Sequence, residues 1–241
     1  PDVARFFDSL GIEILEGYGL TETCVATNVN RLGDKKIGSV GPVLADDIEL
    51  QLGEDDEIMY RGPNISLGYY NRDSATKSSW DSDGWFHTGD LGAVDDDGFL
   101  TIIGRKKEIL VTSYGKNVAP EDIEGKIKSS RFVSQALLLG DGRPYCVALV
   151  TLDLPAVEAS AKKLGITDTG SALCQNQRVF DMVSKEVEKV NEDLASYESV
   201  KKIAIVPEEF TVDNGMLTPT FKVKRRVVME KYGDMIDGLY K

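Results

Sequence analysis

One stretch constrains the organisation of this chain more than any other: GRKKEILVTSYGKNVAPEDIE, from Gly104 to Glu124. Three consecutive cations follow its glycine, and the apolar run EILVT after them is typical of a short buried strand. Pro120 predicts a helix start, because proline suits the first helical turn and the carboxylates behind it suit the helix dipole. Taken alone, the basic turn is as consistent with a solvated loop as with a functional segment.

The residues before this stretch predict mainly strands. Val3–Leu10 predicts a helix ended by Gly11, and Ile12–Leu15 a strand that runs into a Gly-Tyr-Gly turn. Between residues 25 and 104, short apolar runs alternate with turn signals, which indicates a small all-β subdomain of barrel or sandwich type. Within it we expect strands at 48–52, 57–60 and 99–103, and a short helix near 74–79.

Residues 108–241 predict a separate α+β unit. It begins with a helix at 120–129 and continues with strands at 135–139 and 145–153, which a Gly-Asp-Gly turn joins as a hairpin. The remaining elements are expected in this order: helix 154–164, amphipathic helix 177–197, strand 203–206, loop 210–219 and helix 224–239.

Composition narrows the class of ligand. The net charge of −12 argues against a general binder of nucleic acid or anionic membranes. The basic residues are concentrated at Arg105–Lys107 and Lys222–Arg226, which suits a small anionic ligand better than a polymer. His87 is the only histidine, which argues against a His-based metal site.

The same composition favours an intracellular protein. The three cysteines are scattered and lack metal-binding spacing, as expected of reduced thiols in the cytoplasm. No apolar run approaches the length of a membrane span, and no signal peptide is evident; peripheral contact with a membrane stays open. Because the sequence starts at Pro1 rather than at a methionine, we interpret it as a fragment of a longer protein.

A glycine-rich run, GYGLTET, contains the first candidate site residues. Gly17 and Gly19 flank Tyr18 and let the backbone approach a flat ligand, on which the tyrosine ring can stack. Thr21 offers a hydroxyl to a phosphate, and Glu22 offers a hard oxygen to Mg²⁺. The alternative is a tight turn around a core tyrosine.

Three further residues have suitable chemistry for a nucleotide. Asp90, in GWFHTGD, can accept hydrogen bonds from both hydroxyls of a ribose, although a turn cap is the alternative. Arg105 can donate to ribose or phosphate oxygens. Lys222, in LTPTFKVKRR, can stabilise negative charge that develops in a reaction, although a basic helix start on the surface is the alternative.

These four motifs, in this order, resemble those of the adenylate-forming enzymes: acyl-CoA synthetases, luciferases and peptide-synthetase adenylation domains. Bacterial long-chain fatty-acid–CoA ligases are the most similar group. The resemblance implies a mixed α/β and α+β chain, with a small β-barrel-like subdomain followed by a separate α+β C-terminal domain. It also implies that Tyr18 stacks on adenine, that Thr21 touches the α-phosphate, and that Glu22 binds the metal. By the same resemblance, Asp90 holds the ribose.

The resemblance also divides the chain. Residues 1–104 correspond to the distal part of a large N-terminal domain, comprising the end of its α/β subdomain and its β subdomain. Residues 105–107 correspond to a hinge in which Lys107 absorbs the backbone change. The side chain of Lys106 is expected to be solvated. Residues 108–241 correspond to a mobile domain, in which Gly115 lies where the pantetheine arm of coenzyme A passes. Phe221 stands where many relatives have glycine, so the register between Lys222 and Lys224 is open; we chose Lys222.

The implied reaction has two halves. A carboxylate attacks the α-phosphate of Mg·ATP to give acyl-AMP, and coenzyme A then takes the acyl group and AMP leaves. The ending TPTFKVKRR resembles that of the long-chain acyl-CoA synthetases, which implies a long-chain fatty acid as the substrate. Alternatives are a medium-chain or aryl-CoA ligase, an adenylation enzyme that loads a carrier protein, and a nucleotide-binding module without catalysis.

The phosphate-gripping loop and the acyl pocket of such enzymes have no counterpart in this sequence. We therefore expect these residues alone to be inactive, and the missing N-terminal part of the same chain to be a partner. The expected small-molecule partners are ATP, a fatty acid and coenzyme A, with no nucleic acid.

Overall fold

The computed structural model describes residues 2–241. They form two compact units: the first ends at Glu108, and the second comprises Ile109–Lys241. No helix among the described residues is long and apolar enough to cross a membrane.

The first unit opens with helix α1 (Asp2–Ser9), and Gly11 follows in the left-handed conformation (φ +77°), as predicted. The predicted strand Ile12–Leu15 is wrong. Strand β1 (Gly17–Tyr18) begins later and pairs antiparallel with β2 (Asn28–Val29). A strand exists only where its backbone groups meet a partner, and that pairing extends over two residues of each strand.

A four-stranded antiparallel sheet in the order β3-β4-β5-β6 forms the rest of the first unit. Its apolar core contains Ile58, Tyr60 and Leu100. The three predicted strands and the short helix are confirmed, whereas β5 was missed because its Thr-Gly-Asp segment is typical of a turn. The elements are β3 (Glu49–Leu52), β4 (Glu57–Arg61), α2 (Asp73–Ser79), β5 (Phe86–Val94) and β6 (Leu100–Arg105).

Strand β5 contains a bulge where it faces β4. Met59 pairs with His87, and the next pair along the two strands joins Glu57 to Leu91. Ile58, the single residue between Glu57 and Met59 on β4, therefore faces the three-residue segment Thr88–Asp90 on β5. Bulges bend a strand and redirect its side chains, and this one contains the candidate Asp90.

The second unit is built on a three-stranded sheet in the order β11-β10-β9. The central strand β10 is antiparallel to β9 and parallel to β11. Its side chains alternate between two apolar clusters on opposite faces of the sheet, which explains the uninterrupted apolar run CVALV. The strands are β7 (Leu110–Val111), β8 (Asn117–Val118), β9 (Val133–Leu139), β10 (Cys146–Leu152) and β11 (Val200–Ile205).

The helices of the second unit confirm most of the predicted elements, with two corrections. The amphipathic helix ends at Glu192 rather than Tyr197, because the Asn191 side chain bonds both backbone groups of Val200 (2.8 and 2.9 Å) where the chain enters β11. The predicted terminal helix is two helices, separated at Tyr232 just before a glycine, a weak helix former. The helices are α3 (Pro120–Lys128), α4 (Leu154–Lys163), α5 (Gln177–Glu192), α6 (Arg225–Lys231) and α7 (Gly233–Leu239).

Candidate functional site

Three predicted site residues of the first unit are in direct contact. The Tyr18 hydroxyl donates to Asp90 Oδ2 at 2.5 Å, and Arg105 Nε lies 2.9 Å from Asp90 Oδ1. We call Tyr18, Asp90 and Arg105 the carboxylate cluster. The Asp90 side chain is 6% exposed and that of Arg105 is 48% exposed, so a buried acid is joined to a half-exposed base.

The strands that place this cluster come from distant parts of the sequence. Tyr18 lies on β1 and packs against the sheet core beside Tyr60. Asp90 and Arg105 are direct partners in the register of β5 and β6. Gly19 is required for the approach of the chain after Tyr18, because a Cβ there would lie 1.4 Å from the carbonyl oxygen of Val25.

The cluster retains capacity for a ligand. Oδ2 of Asp90 accepts the Tyr18 hydroxyl and Oδ1 is ion-paired with Arg105, whereas an ionised carboxylate can accept about four hydrogen bonds. Within residues 2–241, Arg105 pairs through Nε, which leaves its two terminal nitrogens as donors. Burial, and then the hydrogen bond to Asp90, raise the pKa of Tyr18 well above its ordinary value. Tyr18 therefore stays a neutral donor.

Glu22 lies in a short 3₁₀ helix, Thr21–Thr23. Its Oε1 accepts a hydrogen bond of 2.7 Å from the hydroxyl of Tyr69, which raises the pKa of that tyrosine. Thr21 is exposed beside it. Cys24 follows at φ +52° and Val25 at φ +85°; a β-branched residue rarely adopts such a conformation. Tyr69 was not predicted as a site residue, because only the fold brings its hydroxyl into contact with Glu22.

The Glu22 carboxylate could bind a magnesium ion whose other ligands come from a nucleotide rather than from the protein. The described part of the chain contains no group of three or more acidic, His or Cys side chains arranged for a metal. Magnesium is commonly bound through one or two carboxylates together with phosphate oxygens and water. An ion at Glu22 would thus depend on nucleotide phosphates for its other ligands.

A pocket of about 670 Å³ in the first unit brings several candidates together. Its lining includes Glu22, Tyr69 from the segment between β4 and α2, Arg105 of β6, and Lys107 in the turn after β6. This volume is in the range of small-molecule sites. Tyr18 and Asp90 are not part of the lining, although the two residues before Asp90 are.

Lys106 is exposed, as the sequence suggested, and it also forms two ion pairs that the sequence did not predict. Its ammonium group pairs with Asp55 at 2.5 Å and with Glu57 at 3.0 Å. Glu57 also faces the ring of His87, whose Nδ1 lies 3.3 Å from Oε2. Burial raises the pKa of Glu57, but hydrogen bonds from Lys106, His87 and the Gly89 N–H outweigh it, and the pKa lies below its ordinary value.

The other predicted residues belong to the second unit. Gly115 lies in the turn between β7 and β8 at φ +71°, and a Cβ there would meet nothing within 4 Å. Lys222 is 73% exposed, and its Nζ lies 3.8 Å from Glu121 Oε1, so it is a loosely held cation. The preceding Phe221 is at φ +61° and 70% exposed.

A buried ion pair fixes the chain just beyond Lys222. Arg225, the first residue of α6, bonds Glu124 of α3 at 2.5 Å and the carbonyl oxygen of Leu138. Glu124 also accepts the Leu138 N–H at 2.7 Å. Burial raises the pKa of Glu124, and Arg225 opposes that rise. The loop that presents Lys222 is therefore tied to α3 and β9.

The comparison with known families agrees with the motifs. The family model described as AMP-binding enzyme C-terminal domain matches residues 107–241. The model described as AMP-binding enzyme matches residues 1–70. The chain belongs to the family of AMP-binding enzymes, the adenylate-forming class that its motifs resemble.

Similar proteins are longer than this chain. It is 41% identical over 240 residues to long-chain-fatty-acid–CoA ligase FadD15 of Mycobacterium bovis, an alignment that covers 99% of this chain and 40% of that protein.

Two solved structures share the fold. The adenylation domain of a carboxylate reductase from Mycobacterium chelonae is 24% identical, with a TM-score of 0.78 over 100% of this chain and 37% of that chain. ATP-bound MatB from Rhodopseudomonas palustris is 25% identical, with a TM-score of 0.67 over 100% of this chain and 44% of that chain. The predicted fold class is confirmed.

Proposed function

We propose that this chain is part of an ATP-dependent, AMP-forming long-chain fatty-acid–CoA ligase. The observation that carries the proposal is the carboxylate cluster: three residues chosen from separate motifs as nucleotide ligands meet at one buried carboxylate. Membership of the AMP-binding enzyme family and the 41% identity to a mycobacterial long-chain ligase support it.

In the proposed site Asp90 accepts the ribose hydroxyls and Arg105 donates to ribose or phosphate oxygens through its free terminal nitrogens. Tyr18 offers its ring to adenine, with Gly17 and Gly19 keeping the backbone close. Gly17 is tightly placed, since a Cβ there would lie 3.1 Å from a backbone oxygen of β2. The hydrogen bond between Tyr18 and Asp90 orients the ring before a nucleotide arrives.

Thr21 and Glu22 complete the nucleotide end of the proposal. Thr21 is exposed at the start of the 3₁₀ helix and can donate to the α-phosphate. Glu22, oriented by Tyr69, would hold Mg²⁺ together with phosphate oxygens. The magnesium ion neutralises phosphate charge when it is bound. The ATP in the structure of MatB is consistent with this assignment.

We assign the adenylation lysine to Lys222 rather than Lys224. Phe221 adopts φ +61°, the left-handed conformation that glycine accepts without strain. The backbone thus supports placing Phe221 where many relatives have glycine, which makes Lys222 the residue after that position. An exposed, loosely paired ammonium group is also free to meet a phosphate.

The second half-reaction rests on the hinge and on Gly115. We propose that the second unit rotates about Lys107, an exposed residue in the turn after β6. This rotation would move Lys222 away from the nucleotide and bring the face that contains Gly115 towards it. The open space around Gly115 would admit the pantetheine arm of coenzyme A. The protein would act in the cytoplasm, in fatty acid metabolism.

The test uses the full-length protein with Lys222→Ala and the matched variant Lys224→Ala. Adenylation is followed as fatty-acid-dependent pyrophosphate release, and thioester formation as transfer from prepared acyl-AMP to coenzyme A. We expect Lys222→Ala to lower adenylation by about 10²- to 10³-fold, as for other preorganised electrostatic groups, and to leave transfer within a few-fold. Lys224→Ala should resemble the parent.

Three outcomes would contradict parts of the proposal. If only Lys224→Ala lowers adenylation, the adenylation lysine is Lys224 rather than Lys222. If neither variant lowers adenylation, the basic run is simply the start of a surface helix. Faster turnover of octanoate or benzoate than of palmitate would replace long-chain specificity by a medium-chain or aryl-CoA ligase.

A further inference from the structure

Glu57, on strand β4, has a buried carboxylate that the proposed reaction does not use. Its side chain is 9% exposed. Oε1 accepts the Gly89 N–H at 2.9 Å, and Oε2 lies 3.0 Å from Lys106 Nζ and 3.3 Å from His87 Nδ1. A buried carboxylate is costly unless it is paired and hydrogen-bonded, and this one has partners at two residues of β5 and one in the turn after β6, which indicates a specific role.

The carboxylate sits at the bulge of β5. There the register between the two strands shifts, and side chains provide hydrogen bonds across the gap. The Thr88 hydroxyl donates to the carbonyl oxygen of Ile58 at 2.7 Å, and Glu57 accepts from Gly89, which is at φ +73°. The conformation of the residue before Asp90 therefore depends on Glu57.

The Glu57 carboxylate also contacts the residue next to Arg105, the ion-pair partner of Asp90. Lys106 directly follows Arg105, and besides its ion pair with Glu57 its backbone N–H donates to the Gly89 carbonyl oxygen at 2.9 Å. Glu57 thus contacts the neighbour of Asp90 and the neighbour of Arg105, and these two neighbours bond each other.

We propose that Glu57 is a positioning residue for ribose recognition: it fixes Gly89 and Lys106, and so sets how Asp90 and Arg105 meet the ribose hydroxyls. This inference rests on the proposed nucleotide site. It places part of the selectivity for ribose on a residue other than Asp90 and Arg105, the two that are proposed to contact the ribose hydroxyls.

The test compares binding of ATP and 2′,3′-dideoxy-ATP to the full-length protein by titration calorimetry. A hydrogen bond to a charged group contributes about 1.5–3 kcal/mol, so the parent should prefer ATP by roughly 10- to 150-fold. Glu57→Ala should bring that ratio within about threefold of unity, chiefly by weakening ATP. Glu57→Gln keeps an oxygen for Gly89 but loses the charge that pairs with Lys106, so its ratio should lie between those of the parent and Glu57→Ala.

Glu49→Ala is the matched control. Glu49 lies on the neighbouring strand β3, and its carboxylate pairs with Arg61 through two nitrogens, at 2.6 and 2.9 Å. Removing it deletes a carboxylate ion pair from the same sheet without touching the bulge, so the ratio should not change.

The outcomes separate this inference from the proposed function. Equal binding of both nucleotides by the parent, or no binding, overturns both. If the parent prefers ATP and Glu57→Ala keeps the same ratio of affinities, only the inference is overturned. An equal loss of affinity for both nucleotides in Glu57→Ala also overturns only the inference, because a merely structural role would weaken both. If Glu57→Ala does not fold, Lys106→Met decides: it should lower the ratio, and an unchanged ratio overturns the inference.

Discussion

The buried pair Arg225–Glu124 predicts a large and local loss of stability. Their side chains are 22% and 14% exposed. Removing one partner of a buried pair costs about 3–5 kcal/mol because the other charge is left uncompensated. Since both side chains retain some exposure, we expect about 3 kcal/mol for Arg225→Ala. With a urea slope of about 1.5–2 kcal/mol/M, the unfolding midpoint of the second unit should fall by about 1.5–2 M.

The assay separates the two units. Both tryptophans, Trp80 and Trp85, lie in the first unit, so their fluorescence reports its unfolding, whereas far-UV circular dichroism reports helices of both. Arg225→Ala should shift the circular dichroism transition and leave the tryptophan transition in place.

The neighbouring Arg226 provides the control. Its side chain is 88% exposed and pairs with Glu230 one turn along the helix, an interaction that contributes about 0.3–0.5 kcal/mol. Arg226→Ala should therefore shift the urea midpoint by no more than about 0.3 M. The reasoning is refuted if Arg225→Ala shifts the circular dichroism midpoint no more than this control, or shifts both transitions equally.

Two further predictions concern the turn after β6 and the pH dependence of the first unit. Lys107→Pro in the full-length protein fixes φ at the proposed hinge and should lower thioester formation more than acyl-AMP formation; equal loss in both half-reactions would contradict the hinge. The folded pKa of Glu57 lies below the ordinary value of 4.5, so it stabilises the fold above that pH, and this contribution is lost as pH falls through the folded pKa. In Glu57→Gln the tryptophan-detected stability should depend less on pH below about 4.5, and a curve parallel to that of the parent would argue against the assignment.

Local pattern was enough to predict much of this fold. The alternating run at 48–52 predicted β3, whose burial alternates, and the apolar residues of β4 and the β-branched residues of β6 predicted those two strands. The apolar run of β10 likewise predicted a strand, and the structure buries that strand on both faces. Strand β5 was missed, because its Thr-Gly-Asp bulge is extended only through contacts with β4.

The candidate site divides in the same way. The motifs gave the chemical types of Tyr18, Asp90 and Arg105, but their contact joins residues 72 positions apart and depends on the sheet. Lys106 is exposed as expected, but its ion pairs could not be predicted for the same reason, since its acidic partners come from the β3–β4 turn and from β4. The role of Glu57 has no sequence signal beyond a carboxylate at the start of a strand, where solvent exposure is the ordinary expectation.

The central claim is that the carboxylate cluster binds the ribose of a nucleotide, and titration of the full-length protein with AMP tests it most directly. The comparison is between Asp90→Asn and Asp97→Asn, since Asp97 is 74% exposed and pairs only with the half-exposed Lys36 in the described structure. The account predicts that Asp90→Asn weakens AMP binding by about tenfold or more, through loss of charge-assisted hydrogen bonds, while Asp97→Asn binds like the parent. Equal AMP affinity in the parent and in a folded Asp90→Asn variant would contradict it.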